Sequence, residues 1–167
     1  MSYTYKLAIN QSLDAIDLCL KNKLFLPALG IIYSSIDSLA YIAYDDNAVR
    51  TRFTKWVDNF LYKNRTLDPT SLDLYVARCA ILHRLTPDSD LSKNGAARKI
   101  NYSWGTADPS LIVDVCPDHS YLHIEEFNEL FKEAIAIFNN DLENNDLESS
   151  NVEEKLNCFY EHVPKLK

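Results

Sequence analysis

A chain of 167 residues, 47% apolar and 25% charged, is long enough for a sizeable core and has the balance of an ordinary soluble globular protein. Its 3 glycines argue against a turn-rich all-β fold and against a glycine-rich phosphate loop. The net charge of −7 speaks against nucleic acid when taken over the whole chain.

In chain order, Tyr5, Ile9, Leu13, Ile16 and Leu20 form the stripe of a first amphipathic helix, and Lys6, Asn10, Asp14 and Asp17 mark its wet face. A second helix is predicted from about Leu26 to Tyr44, with Pro27 tolerated in its first turn. Ala28, Gly30, Ser34 and Ser35 would let another helix approach it closely, and Asp37 is its one internal charge. A buried carboxylate there calls for a cation, with Arg78 and Arg50 as candidates, whereas a surface Asp37 calls for none. After the turn Asp45-Asp46-Asn47, a third helix places Val49, Phe53, Trp56, Val57 and Phe60 on one face.

Asp68-Pro69-Thr70 then suits a helix start, and Thr86-Pro87 a helix end, around the most apolar stretch, Ser71–Leu85. Beyond it, Ile100–Trp104 alternates with period two, and Ser110–Val115 is β-branched between Pro109 and Pro117. These two runs are predicted to pair as a hairpin, a small β insertion around residues 98–116. Tyr121–Leu142 reads as another long helix. Residues 143–167 form a C-terminal helical extension, in which Ser150 and Glu153 fit a capping box. The expected fold is mainly all-α: a single domain over 1–167, a helical bundle with that β-hairpin insertion.

No hydrophobic leader opens the chain and no apolar run approaches ~18 residues, so a cytoplasmic protein without a membrane span is expected. Cys19, Cys79, Cys116 and Cys158 are scattered and read as free thiols. His119 and His123 stand four apart without a partner motif, so neither a metal nor a cofactor is expected.

Within Ser71–Leu85 only Asp73, Arg78, His83 and Arg84 interrupt the apolar run. A guanidinium inside such a helix is costly unless it is paired or faces a solvated cleft. Arg78 is therefore either half of a structural ion pair with Asp37 or Asp73, or part of a site with His83. Residues 50–99 carry 10 basic and 5 acidic groups, against 3 and 5 in residues 1–49 and 4 and 14 in residues 100–167. That middle third is where a polyanion would be attracted, unless its charges pair with the acidic segments. An offset of five residues turns ~140° around an ideal helix. Arg78 and His83 then meet only if the helix loosens near Thr86-Pro87, or if the long arginine reaches round.

The Arg-x4-His string Arg78-Cys79-Ala80-Ile81-Leu82-His83, set in a helical bundle, resembles the HEPN superfamily. The wider run Asp73–His83 is similar to small bacterial HEPN-like proteins of defence and toxin–antitoxin type. The resemblance implies a HEPN-like helical bundle and metal-independent endoribonuclease activity, with Arg78 and His83 catalytic. It also implies a homodimer that brings two Arg–His pairs together, and a toxin or effector role beside an antitoxin protein. Asp37 and Tyr75 are candidates to support the pair, and Arg50, Arg84, Arg98 and Lys99 to bind single-stranded RNA. The alternative is a catalytically silent HEPN-like binding or scaffold protein that acts through dimerisation or a partner protein.

Overall fold

The apolar periodicities of the chain become six helices and a two-stranded sheet in a computed structural model that describes residues 3–84, 95–108 and 115–157. In order they are α1 (Tyr3–Lys21), α2 (Phe25–Ala43), α3 (Val49–Trp56), α4 (Ser71–Arg84), β1 (Lys99–Ser103), β2 (His119–His123), α5 (Ile124–Asn144) and α6 (Val152–Asn157).

The central element is α2, which touches each of the other five helices. Ile32, Tyr33, Ile36, Leu39 and Ile42 are fully buried along it, so apolar side chains cover much of its circumference. By length and composition α2 would also cross a membrane, but half of its apolar window is buried inside the protein, as in a core helix. Trp56, Phe60, Phe131 and Phe138 fill the far side of the core, with Phe60 edge-on to Phe138 at 5.2 Å between centroids.

The third helix differs from the expected single stripe. It widens after Trp56 into a π-helical turn, Val57–Leu61, which turns Val57, Phe60 and Leu61 inward together with Phe53 and Trp56. Val49, expected on the same face, is 40% exposed instead.

The β insertion requires a larger correction. β1 pairs with His119–His123 rather than with a strand inside 110–115, and the pairing is parallel, Lys99 opposite His119 through Ser103 opposite His123. Parallel strands cannot be joined by a tight hairpin; they need a longer crossover, here residues 104–118. Of the β-branched run Ser110–Val115 predicted as the second strand, residues 110–114 lie outside the described segments and Val115 is an exposed turn residue. Pairing also takes Tyr121–His123 out of the predicted long helix, so α5 starts at Ile124. Strand alternation explains the misreading: Ser120 and Leu122 are buried between half-buried neighbours, a period of two at the edge of a helical stripe.

The C-terminal segment is held by charge. Asp45 accepts hydrogen bonds from Ser149 Oγ at 2.6 Å, from the Ser150 amide at 2.8 Å and from Ser150 Oγ at 2.8 Å. Lys155, itself 8% exposed, donates to Asp45 and to the Tyr44 carbonyl, each at 2.8 Å. Ser150 is thus turned toward Asp45, where a capping box with Glu153 was expected.

Candidate functional site

Thr70 and Asp73 start α4 by exchanging bonds: the Asp73 amide donates to Thr70 Oγ1 at 3.1 Å, and the Thr70 amide donates to Asp73 Oδ2 at 2.9 Å. This reciprocal cap fixes where the helix begins and, through its 3.6-residue period, which side Arg78 leaves from. Arg78 emerges toward α2. Its Nε donates to Asp37 Oδ2 at 2.5 Å, and its Nη2 forms an ion pair with the same oxygen. The two side chains keep 16% and 19% of their surface exposed, so the pair is largely covered but still reaches solvent at its edge.

The remaining nitrogen of the fork points at the histidine. Arg78 Nη1 lies 3.2 Å from His83 Nε2 and donates more weakly to Cys79 Sγ at 3.7 Å. A guanidinium only donates, so His83 Nε2 must be the acceptor and the ring proton must sit on Nδ1. His83 is exposed, with its open side in water. The long arginine side chain therefore bridges the offset between positions 78 and 83, while α4 stays helical through Arg84; Thr86-Pro87 lies outside the described residues.

Asp37 feels opposing influences. Burial raises its carboxyl above the ordinary value, and the Arg78 charge, then Arg52, then His83, pull it back. Its second oxygen, Oδ1, is buried without a hydrogen-bond partner among the described residues. Arg78 stays firmly charged: burial works against its protonation, but the Asp37 charge and hydrogen bond more than offset that. Tyr75, one turn before Arg78, packs edge-on against Phe53 at 5.7 Å, and burial raises its phenol.

Of the basic residues proposed for RNA, Arg98 and Lys99 lie apart from this cluster. Arg98 is engaged by Asp73 (backbone amide to Oδ1 at 2.7 Å, Nη2 to Oδ2 at 3.1 Å) and by the Asp68 carbonyl at 2.6 Å. Those partners belong to the first turn of α4 and its approach, ten residues and ~15 Å along the axis from His83. Arg98 and Lys99 line a cavity of about 820 Å³ with Thr70, Asp73 and His119. Arg50 is exposed on α3, and the Arg84 side chain lies outside what the structure describes.

Arg52 is the residue that the sequence reading passed over. Its guanidinium lies 5.6 Å from the ring centre of Tyr41, and its charge reaches Asp37. One signal was available: Arg52 precedes the buried Trp56 by one turn and so leaves the inner side of α3, unlike Arg50.

Cys19, Cys79 and Cys116 are free thiols, and Cys158 lies outside the described residues. Among the described residues no three histidine, cysteine or carboxylate side chains converge as metal ligands. No family model, curated protein or solved structure matches this chain.

Proposed function

We propose that the chain is a HEPN-like endoribonuclease of single-stranded RNA, acting as a cytoplasmic homodimer and serving as a toxin or effector restrained by an antitoxin protein. The observation that supports it is the contact between Arg78 Nη1 and the exposed His83 at 3.2 Å, with Asp37 holding the other edge of the guanidinium. Transfer of a phosphoryl group to the neighbouring 2′-hydroxyl needs a base for that hydroxyl, an acid for the leaving 5′-oxygen and a cation beside the pentacoordinate phosphorus. A neutral imidazole is a competent base, and an arginine fork matches phosphate oxygens. In the free protein Arg78 occupies the lone pair of His83 Nε2. A phosphate that drew Nη1 to itself would release that lone pair to take the 2′-hydroxyl proton, so substrate binding and activation of the base become one event. The second proton transfer needs a second histidine, which a two-fold dimer would supply.

The test is incubation of the purified protein with single-stranded RNA in the presence of a chelator, beside Arg78→Ala and His83→Ala. Cleavage by the wild type that is lost in both variants supports the reading. The engagement of Arg78 by Asp37 through both Nε and Nη2 favours a second reading, a silent binding or scaffold protein in which the pair is structural. A dimeric wild type that leaves RNA intact would establish it.

A further inference from the structure

Asp37 and Tyr41 stand one turn apart on α2, so their side chains share a face about 6 Å from each other along the axis. At the first position Asp37 carries Arg78, and at the second the 45% exposed Tyr41 ring carries Arg52. The two guanidiniums are held in different ways. Arg78 is neutralised by a carboxylate; Arg52 is fixed by the Asp46 carbonyl and the tyrosine ring, neither of which carries a charge. Among the described residues no carboxylate lies within ion-pair distance of Arg52, and its Nε is buried without a hydrogen-bond partner. Lys155 also lies over the Tyr41 ring, at 5.1 Å, but it is paired with Asp45, so of the cations on this face Arg52 is the one without an ion-pair partner among the described residues. The buried Nε is out of reach of an incoming group, but Nη2 makes no hydrogen bond among the described residues and is the donor that an anionic oxygen would complete.

We propose that Arg52, held against Tyr41, binds a second phosphate of the substrate strand, the one next to the phosphate that Arg78 and His83 address. The site then reads two successive backbone phosphates from two helices, Arg78 from α4 and Arg52 from α3. This inference rests on the ribonuclease reading for the identity of the strand. The contact is to the backbone, so it sets affinity and register and carries no base preference.

The test is binding of a labelled oligouridylate by fluorescence anisotropy across a salt series, with steady-state cleavage measured in parallel. Arg52→Gln should weaken binding about tenfold and flatten the salt dependence by ~0.7 in log–log slope, the share of one phosphate contact on a single strand. KM should rise by a similar factor while kcat changes less than twofold. Arg52→Lys should recover the slope but only part of the affinity, because a lysine keeps the charge without the fork. Equal affinity and slope for Arg52→Gln and wild type would overturn the proposal, as would a wild type that does not bind the strand. Binding that depends on Arg52 without any cleavage would sink the catalytic reading and leave the phosphate site standing. Should Arg52→Gln fail to fold by thermal melting, Tyr41→Leu replaces it, and an unchanged affinity in that variant overturns the proposal.

Discussion

Arg78 Nη1 meets His83 Nε2 at 3.2 Å although the two residues leave α4 about 140° apart. The meeting depends on Asp37, which holds Nε and Nη2 from α2 and so aims the third nitrogen across the helix surface. The geometry of the pair is therefore a property of two helices, and each position in it can be tested separately.

Arg78→Lys should fold and lose function. A lysine reaches Asp37 with one nitrogen and has none left in a fixed direction for His83 or a phosphate. The melting temperature should stay within a few degrees of wild type, while any RNA cleavage falls by at least tenfold, ~1.4 kcal/mol of transition-state stabilisation. A lysine variant that cleaves as well as wild type would remove the fork from the mechanism.

Asp37 should matter to stability as well as to the site. Asp37→Ala leaves a half-buried guanidinium without its counter-ion, which in a fully buried pair costs 3–5 kcal/mol; with part of both groups in water about 2 kcal/mol is expected. Asp37→Asn keeps an acceptor for Nε and loses only the charge, so about half that loss should follow. Burial raises the Asp37 carboxyl, so the folded state takes up this proton more readily than the unfolded chain; wild type therefore gains stability relative to the non-titrating Asp37→Asn, and the gap between them should widen as pH falls below about 5. Urea unfolding of the three proteins at two pH values measures all of this.

Which parts of this arrangement could be read from the residues follows from what one chain position can know about another. The helices announce themselves because their cores repeat at 3.6 residues, and α4 gives its start through Thr70, while the end expected at Thr86-Pro87 lies outside the described residues. The Arg78–Asp37 pair was one of two ion pairs left open, and the choice between Asp37 and Asp73 was not local: Asp73 is taken by Arg98, 25 residues on. The parallel pairing of β1 with His119–His123 was hidden for the same reason, since the strand is short and abuts a stronger helical stripe. Arg52 was missed because its role comes from Tyr41 on another helix.

Asp45 is the clearest case of a pH-dependent contact. Its hydrogen bonds from Lys155, then Ser149 and Ser150, hold the carboxyl well below the ordinary carboxylate range. A depressed acid contributes stability that is fully present above its unfolded value of ~4 and is lost as pH falls through the lower folded value. The protection of α6 amides, meaning exchange relative to the unfolded chain at the same pH, should therefore be high at pH 6 and fall below about pH 3. In Asp45→Asn it should be low at both, while α2 and α5 stay protected. Equal exchange in wild type and variant at pH 6 would show that α6 is held by Leu156 packing alone.

The engagement of Arg98 gives a prediction opposite to the one its charge suggests. Asp73 is 2% exposed and serves the Thr70 cap and Arg98 at once, so Asp73→Ala removes a cap worth ~1 kcal/mol and strands the guanidinium beside a buried gap. A loss of about 3 kcal/mol is expected, against about 1 kcal/mol for Arg98→Ala, whose partner Asp73 keeps its bonds to Thr70 and to the backbone amide of residue 98. Affinity for single-stranded RNA should be unchanged in Arg98→Ala. The charge at position 98 is already matched by Asp68 and Asp73, so replacing it releases no counter-ion from a nucleic acid. A salt series that flattens in Arg98→Ala would instead make the cavity beside β1, with Lys99 and His119, part of the RNA path.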